Sequence, residues 1–361
     1  MGALPPRDPS DNAVLSPDGN TDGRKVTISV IAQEAGVSVP TVSRVVNGRS
    51  DVAPDTRRRV EQLLNRYGYN RRALRTQAKP SARLIDLVFN DLDSPWAVEI
   101  IRGIEDVAHN AGLGTVVSAT HREPVAARQW LQNLRARASD GVILVNSDLD
   151  SPVQEELRRL NVPMVVVDPV GGSPRNTPTI GATNWAGGLS AVEHLTELGH
   201  RRIGFISGLR QMLCSRARMD GYRAGLEAAG ITPDDALIRE GDFYHESGFH
   251  GGRALLELDD PPTAIFASSD TMAFGVYEAV RQRGWRVPDD VSVVGFDDLP
   301  ETRWSSPPLT TVRQPLAEMG ALAARSLLRL AAGDTIESPR VELATDLTVR
   351  ESTVPPRRSS G

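Results

Sequence analysis

"AGVSVPTVSRVVNG", residues 35–48, decides how the rest of the chain is read. Gly36 ends a helical apolar pattern that runs through "ISVIAQEA", and a second pattern runs through "VPTVSRVVN". Thr27 and Ser38 are placed to cap these two helices. Pro40 is tolerated in a first turn, where no backbone donor is needed, and Gly48 stops the second helix. A third segment, "PDTRRRVEQLLNRY", opens with Pro54 and puts Asp55 at the positive end of the helix dipole, then stops at Gly68. Two short helices joined by a glycine-containing turn form a helix-turn-helix pattern. Its second helix is predicted to bury Val42, Val45 and Val46 on Ile28, Ile31, Ala32 and Val37. Val39, Pro40, Thr41, Ser43, Arg44 and Asn47 then face outward. Side chains of this size fit the ~12 Å major groove of a duplex, where Arg44 can reach guanine and the short polar groups can meet phosphates. The partner this predicts is double-stranded DNA, with Thr27 and Ser38 joining the outward residues as contacts.

Charge follows the same division. Residues 25–80 carry eleven Lys/Arg against four acids, an excess of +7, in a chain whose net charge is −5. The remainder therefore carries −12, so a polyanionic partner is implied for the basic part alone. Among 361 residues there is one cysteine, Cys214, and the six histidines are scattered. No disulfide, metal cluster or cofactor is expected, and a reducing compartment fits. Residues 1–24 read as a disordered leader without the apolar run of a secretory signal. No stretch approaches a membrane span, so the expected location is cytoplasmic, at the nucleoid.

From residue 84 the pattern becomes apolar strands alternating with amphipathic helices. Strands are predicted at 84–89, 115–119, 141–145 and 164–168. The rhythm then restarts with strands at 203–207, 264–268 and 291–296, and helices near 185–198, 216–229 and 271–284. Near-continuous apolar strands separated by helices imply parallel sheets covered on both faces. Two such series imply two α/β lobes. Ligands bind beyond the carboxyl ends of such strands, which points to "NDLDSPW" (90–96), "DPVGG" (168–172), "SSD" (268–270) and "FDDLP" (296–300).

"VTISVIAQEAGVSVPTVSRVVNGRSDVAPDTRRRVEQLLNRYGY" resembles the DNA-binding domain of the lactose-repressor (LacI-type) family of bacterial transcriptional regulators. The resemblance continues through "HLTELGHRRIGFISG", "MDGYRAGLEAAGI", "VPDDVSVVGFDDLP" and "SPPLTTVRQP", covering nearly everything from 26 to 352. It implies a helix-turn-helix head at 25–70, a hinge at 71–83, and a two-lobed body at 84–352 like the periplasmic sugar-binding proteins. The first lobe is expected to comprise 84–182 and 313–343, the second 183–312 and 344–352. The chain would cross between them near 180–184, 310–314 and 343–347, and end in a disordered tail at 353–361. Where the family carries a minor-groove leucine in its hinge, this chain has "GYNRRALRTQAKPSAR" without the usual Pro-Asn, and Leu74 is the candidate wedge.

The same resemblance assigns an effector site to Trp96, Asp168, Arg218, Phe243, Asp270 and Asp297, pairing carboxylates and an arginine with aromatics as a sugar ring requires. It implies a dimeric repressor on a pseudo-palindromic operator, controlled by a small carbohydrate, with a purine or other metabolite as the alternative effector. A sugar-transport protein would need export. An enzyme would need a motif such as GxSxG, HExxH or GxxxxGK[ST], and the chain has none.

Overall fold

The computed structural model describes residues 28–46, 52–67, 82–146, 149, 151–171 and 177–357. The leader, Thr27, Asn47, Gly48, Leu74 and most of the expected hinge lie outside the described residues. The chain divides into two units, Met1–Pro80 and Ser81–Gly361.

The first unit holds three helices, α1 (Ile28–Ala35), α2 (Val39–Val46) and α3 (Pro54–Arg66). Gly36 takes φ +63°, a left-handed conformation that glycine adopts without a Cβ penalty, so the chain can turn sharply between α1 and α2. The Ser38 hydroxyl accepts from the Thr41 N–H at 3.3 Å and pairs with the Thr41 hydroxyl at 2.9 Å, which is the predicted cap. Ile31, Ala32, Ala35, Val42, Val45 and Val60 form the core, with Ile28, Val37 and Val46 packed against it. The end of α3 is tied back to α1 by Tyr67, whose hydroxyl donates to Glu34, and by Arg66, 3.7 Å from Glu34.

The second unit contains two six-stranded sheets. The first is built from β1 (Leu84–Phe89), β2 (Gly114–Ala119), β3 (Gly141–Val145), β4 (Met164–Val167), β5 (Thr179–Ala182) and β11 (Arg340–Leu343), in the order β11-β5-β4-β3-β1-β2, all parallel. The second is built from β6 (Ile203–Ser207), β7 (Ile238–Glu240), β8 (Ala264–Ala267), β9 (Ser292–Asp297), β10 (Thr310–Arg313) and β12 (Asp346–Thr348). Its order is β12-β10-β9-β8-β6-β7, parallel except for the β10–β12 pair.

Helices cover both faces of each sheet. On the first sheet, α4 (Pro95–Asn110) and α11 (Leu316–Ala332) bury Ile100, Ile104, Met319 and Leu327 against Ile85, Leu87 and Phe89, while α5 (Pro124–Arg137) and α6 (Ser151–Arg159) cover the other face. On the second, α7 (Asn184–Glu197) and α8 (Leu213–Ala228) lie opposite α9 (His245–Leu256) and α10 (Asp270–Gln282). A carboxylate in the middle of β1 survives burial because Arg137, Ser139 and Trp130 all donate to Asp86.

The chain passes between the sheets after β5, after β10 and after β11. Two of these passages are stapled together: the Thr345 N–H donates to the Thr183 hydroxyl at 3.0 Å, and the Thr183 N–H donates to the Leu343 carbonyl at 2.9 Å. One expectation fails here. Residues 353–357 are strapped to the second lobe, where the predicted tail should be disordered. Val354 exchanges hydrogen bonds with Ser292 and accepts from His200, Thr353 meets His194 at 2.9 Å, and Arg357 pairs with Asp290 at 2.7 Å. The anchoring donors and acceptors come from distant elements, so the polar, proline-rich tail carries no local sign of them.

Candidate functional site

On the first unit, α2 turns Val42 and Val45 into the core and leaves Val39, Pro40 and Arg44 exposed, with Thr41 and Ser43 half-buried beside them. The predicted division of faces is therefore present. One face of a short helix carries small side chains, one of them aliphatic and 43% exposed, and a guanidinium. Such a face can enter a groove without steric obstruction.

On the second unit a cavity opens between the two lobes at the carboxyl ends of β1, β3, β4 and β9. Trp96, Asp168, Arg218, Phe243 and Asp297 all line it, although they come from two lobes and span 202 positions of the chain. Arg218 is the fixed point. It projects from the first turns of α8 and is 3% exposed. Its Nε donates to Asn184 Oδ1 at 2.8 Å, an Nη donates to the Ser268 carbonyl, and the guanidinium lies 3.7 Å from the centre of the Phe296 ring. Asp297 lies 3.8 Å from it and accepts from Gln314 Nε2 at 2.6 Å. Burial pushes the Asp297 carboxyl up to about 7 against the pull of Arg218 and Gln314. Burial also raises Asp168, which Arg218 and the Cys214 thiol partly offset. Two carboxylates thus face one guanidinium, so this wall offers hydrogen-bond acceptors to a ligand bearing hydroxyl donors and holds no surplus positive charge.

Asp270 does not reach the cavity. It is fully buried at the start of α10, accepting from the Leu299 N–H at 2.8 Å and from the Thr311 hydroxyl. Its role is to fix the loop after β9, and through that loop the backbone that carries Asp297. Ser269, whose hydroxyl accepts from the Met272 N–H at 3.1 Å, caps α10 in its place.

Sequence reasoning passed over Asn90, Asp91, Arg122, Asn146 and Tyr244, all on the wall. Asn90 and Asp91 stand in a loop that had been singled out, and Asn146 follows β3 directly, so the strand-end rule reaches it too. Asn90 Nδ2 donates to the Asn146 carbonyl at 2.6 Å, while the buried Asn146 Oδ1 has no partner among the described residues. Five wall residues hold left-handed backbone: Arg122 (φ +57°), Asn146 (+46°), Asp168 (+48°), Phe243 (+76°) and Asp297 (+123°). Non-glycine residues seldom adopt such angles, and they concentrate where a fold positions ligand groups. No grouping of His, Cys, Asp or Glu among the described residues could hold a metal ion. No helix among them is long and apolar enough to cross a membrane.

Comparison with known proteins agrees with this anatomy. Residues 27–72 match the lacI family of bacterial regulatory proteins, and residues 192–353 match the periplasmic binding protein-like domain. The chain is 33% identical over 330 residues to catabolite control protein A of Priestia megaterium, covering 91% of this chain and 99% of that one. It is 36% identical over 340 residues to the HTH-type transcriptional regulator CelR of Thermobifida fusca, covering 91% and 98%. Among solved structures, a CelR–cellobiose complex superposes with a TM-score of 0.70 at 34% identity, over 91% of this chain and all of that one. A lac repressor dimer bound to operator and an anti-inducer superposes with a TM-score of 0.67 at 31% identity, over 92% of this chain and all of that one.

Proposed function

The chain belongs to the LacI family of bacterial transcriptional regulators and is not an enzyme, and on that footing we propose that it is a cytoplasmic, homodimeric repressor whose operator affinity is set by a carbohydrate in the interlobe cavity. The observation that carries the effector reading is the wall itself. Asp168 and Asp297 flank Arg218, and Trp96 and Phe243 supply flat apolar faces, as a polyhydroxylated ring requires. The CelR structure with cellobiose supports the same ligand class. Arg44, Val39, Pro40, Thr41, Ser43 and Ser38 are the proposed operator contacts. Thr27, Asn47 and the Leu74 wedge, which lie outside the described residues, join them on the sequence reading alone. A dimer is supported by exposed apolar side chains of the first lobe: Leu92, Val98 on α4, Val117 on the edge strand β2 and Val125 at the start of α5.

Two measurements test this. Duplexes selected from a random pool by the purified protein should converge on a near-palindrome. Arg44→Ala should lose at least about tenfold in affinity for that site, the range of one guanine contact. Selection of the same site with unchanged affinity would reject Arg44 as a base reader. Thermal unfolding with cellobiose and a panel of mono- and disaccharides should show one ligand that stabilises the protein, by about 2.7 kcal/mol at a hundredfold excess over its Kd. Stabilisation by nucleobases in place of sugars would move the effector to the purine class.

A further inference from the structure

Away from the strands that cross between the lobes, and besides the contact of the Cys214 thiol with Asp168 inside the cavity, the described residues show a side-chain hydrogen bond between the lobes at the cavity rim. The Tyr244 hydroxyl, from the segment between β7 and α9, donates to Asp91 in the loop after β1. We propose that this pair is a clasp that holds the two lobes closed over the cavity, with Arg122 seating Asp91. The inference rests on the reading of the cavity as the effector site.

Both partners are held in place for the role. The Tyr244 N–H donates to Asp242 Oδ1 at 2.9 Å, the Ser247 hydroxyl donates to the Tyr244 carbonyl at 3.0 Å, and the same hydroxyl accepts from the Asp242 N–H at 3.1 Å. A tight turn therefore fixes the backbone from which the ring projects. Asp91 lies 3.9 Å from the Arg122 guanidinium and its side chain is 26% exposed, which places the bond at the edge and not in the interior. Burial and the acceptor on Asp91 both raise the phenol, so it remains a donor at physiological pH.

The space behind the clasp gives it a consequence. The cavity offers about 70 Å³, room for a few waters, whereas pockets that enclose small organic ligands run to roughly 300 Å³ and more. Lobe separation widens this space, and it breaks the Tyr244–Asp91 bond. The clasp thus sets how much of the ligand-free population stands open, and with it the effector concentration at which the protein responds.

The chain supplies its own reporter. Cys214 is its single cysteine; it is buried at the junction of the lobes against Asp168, on the wall of this cavity and of a second one beside it. The test is the rate of Cys214 alkylation by N-ethylmaleimide, at fixed pH, in the full-length protein without any sugar. Wild type should label slowly. Tyr244→Phe and Asp91→Ala should each speed labelling by about tenfold, equivalent to about 1.4 kcal/mol. The double variant should be no faster than either single one, because all three lack the same bond. Arg122→Ala should fall between wild type and these. Labelling should not depend on low urea concentrations, which separates lobe opening from unfolding. Fast labelling of wild type, unchanged rates in both single variants, or a rate that climbs with urea would each overturn the clasp. Since no effector is present, these outcomes are independent of whether the sugar panel finds a ligand.

Discussion

Arg218 and Asn146 face the same cavity from opposite lobes, and they are held in opposite ways. Arg218 is gripped by Asn184, the Ser268 carbonyl, Asp297 and the Phe296 ring before any ligand arrives. Asn146 is attached through its backbone, while its side-chain oxygen has no partner among the described residues. On the second lobe the binding groups belong to the folded framework. On the first lobe they include polar atoms that folding leaves unused. A cavity built this way has one wall whose geometry is fixed in advance and another whose hydrogen bonds await a ligand, so changes to the two walls should separate stability from recognition.

The largest effect should come from the gripped side. Arg218→Ala leaves Asp297 buried without its cation and is expected to cost about 3–5 kcal/mol in urea unfolding. A loss near zero would show that Arg218 is not part of the framework, and the contrast would fail.

Asp297→Asn sharpens the comparison through pH. An ordinary aspartate in the unfolded chain releases its proton near pH 4, whereas burial holds Asp297 protonated until about 7. The folded state binds more protons between these values. The contribution of this carboxyl to stability is therefore fully present below about pH 4 and lost as pH rises through 7. The amide variant escapes that loss and should gain on wild type by on the order of 2 kcal/mol between pH 5 and pH 8. Parallel pH profiles for the two proteins would remove the buried charge from the account.

The smallest change in stability belongs to the other wall. Asn146→Gly keeps the left-handed backbone comfortable and should alter unfolding by no more than about 0.5 kcal/mol. It should nevertheless weaken binding of whichever saccharide the thermal panel identifies by about tenfold, the worth of one well-made hydrogen bond to a ligand. Substantial destabilisation would mean that the first wall, too, is structural.

These differences explain what the sequence disclosed. The helix-turn-helix was legible down to its faces because caps, glycine turn and 3.6-residue spacing are all local. The long apolar strands were legible for the same reason, with boundaries displaced by a residue or so. β5, β7, β10, β11 and β12 were not, being three or four residues long and defined by the strands they join. α9 was missed because Gly248, Gly251 and Gly252 depress its intrinsic helicity. They are there because α10 comes so close that a Cβ on Gly248 would lie 2.2 Å from the Met272 carbonyl oxygen.

At the site, the same chemistry at two strand ends hid a difference of direction. Asp297 ends β9 and lines the cavity, but Asp270 stands one residue past the cap of α10 and turns to Leu299 and Thr311. No spacing rule distinguishes them. Tyr244 was invisible for a related reason, since its partner lies 153 residues away in the other lobe.

The late strands also bear on how the molecule is made. Leu84 opens the first sheet, yet that sheet has its β11 edge, and its core has the packing of α11, only after the chain has been extended past Leu343. The second lobe waits longer, for Ser352 and Val354. During synthesis the three-helix head is complete by Tyr67 and free to fold, while both lobes stay unfinished until almost the last of these residues has emerged from the ribosome. A nascent chain therefore carries a folded three-helix head long before either lobe is complete.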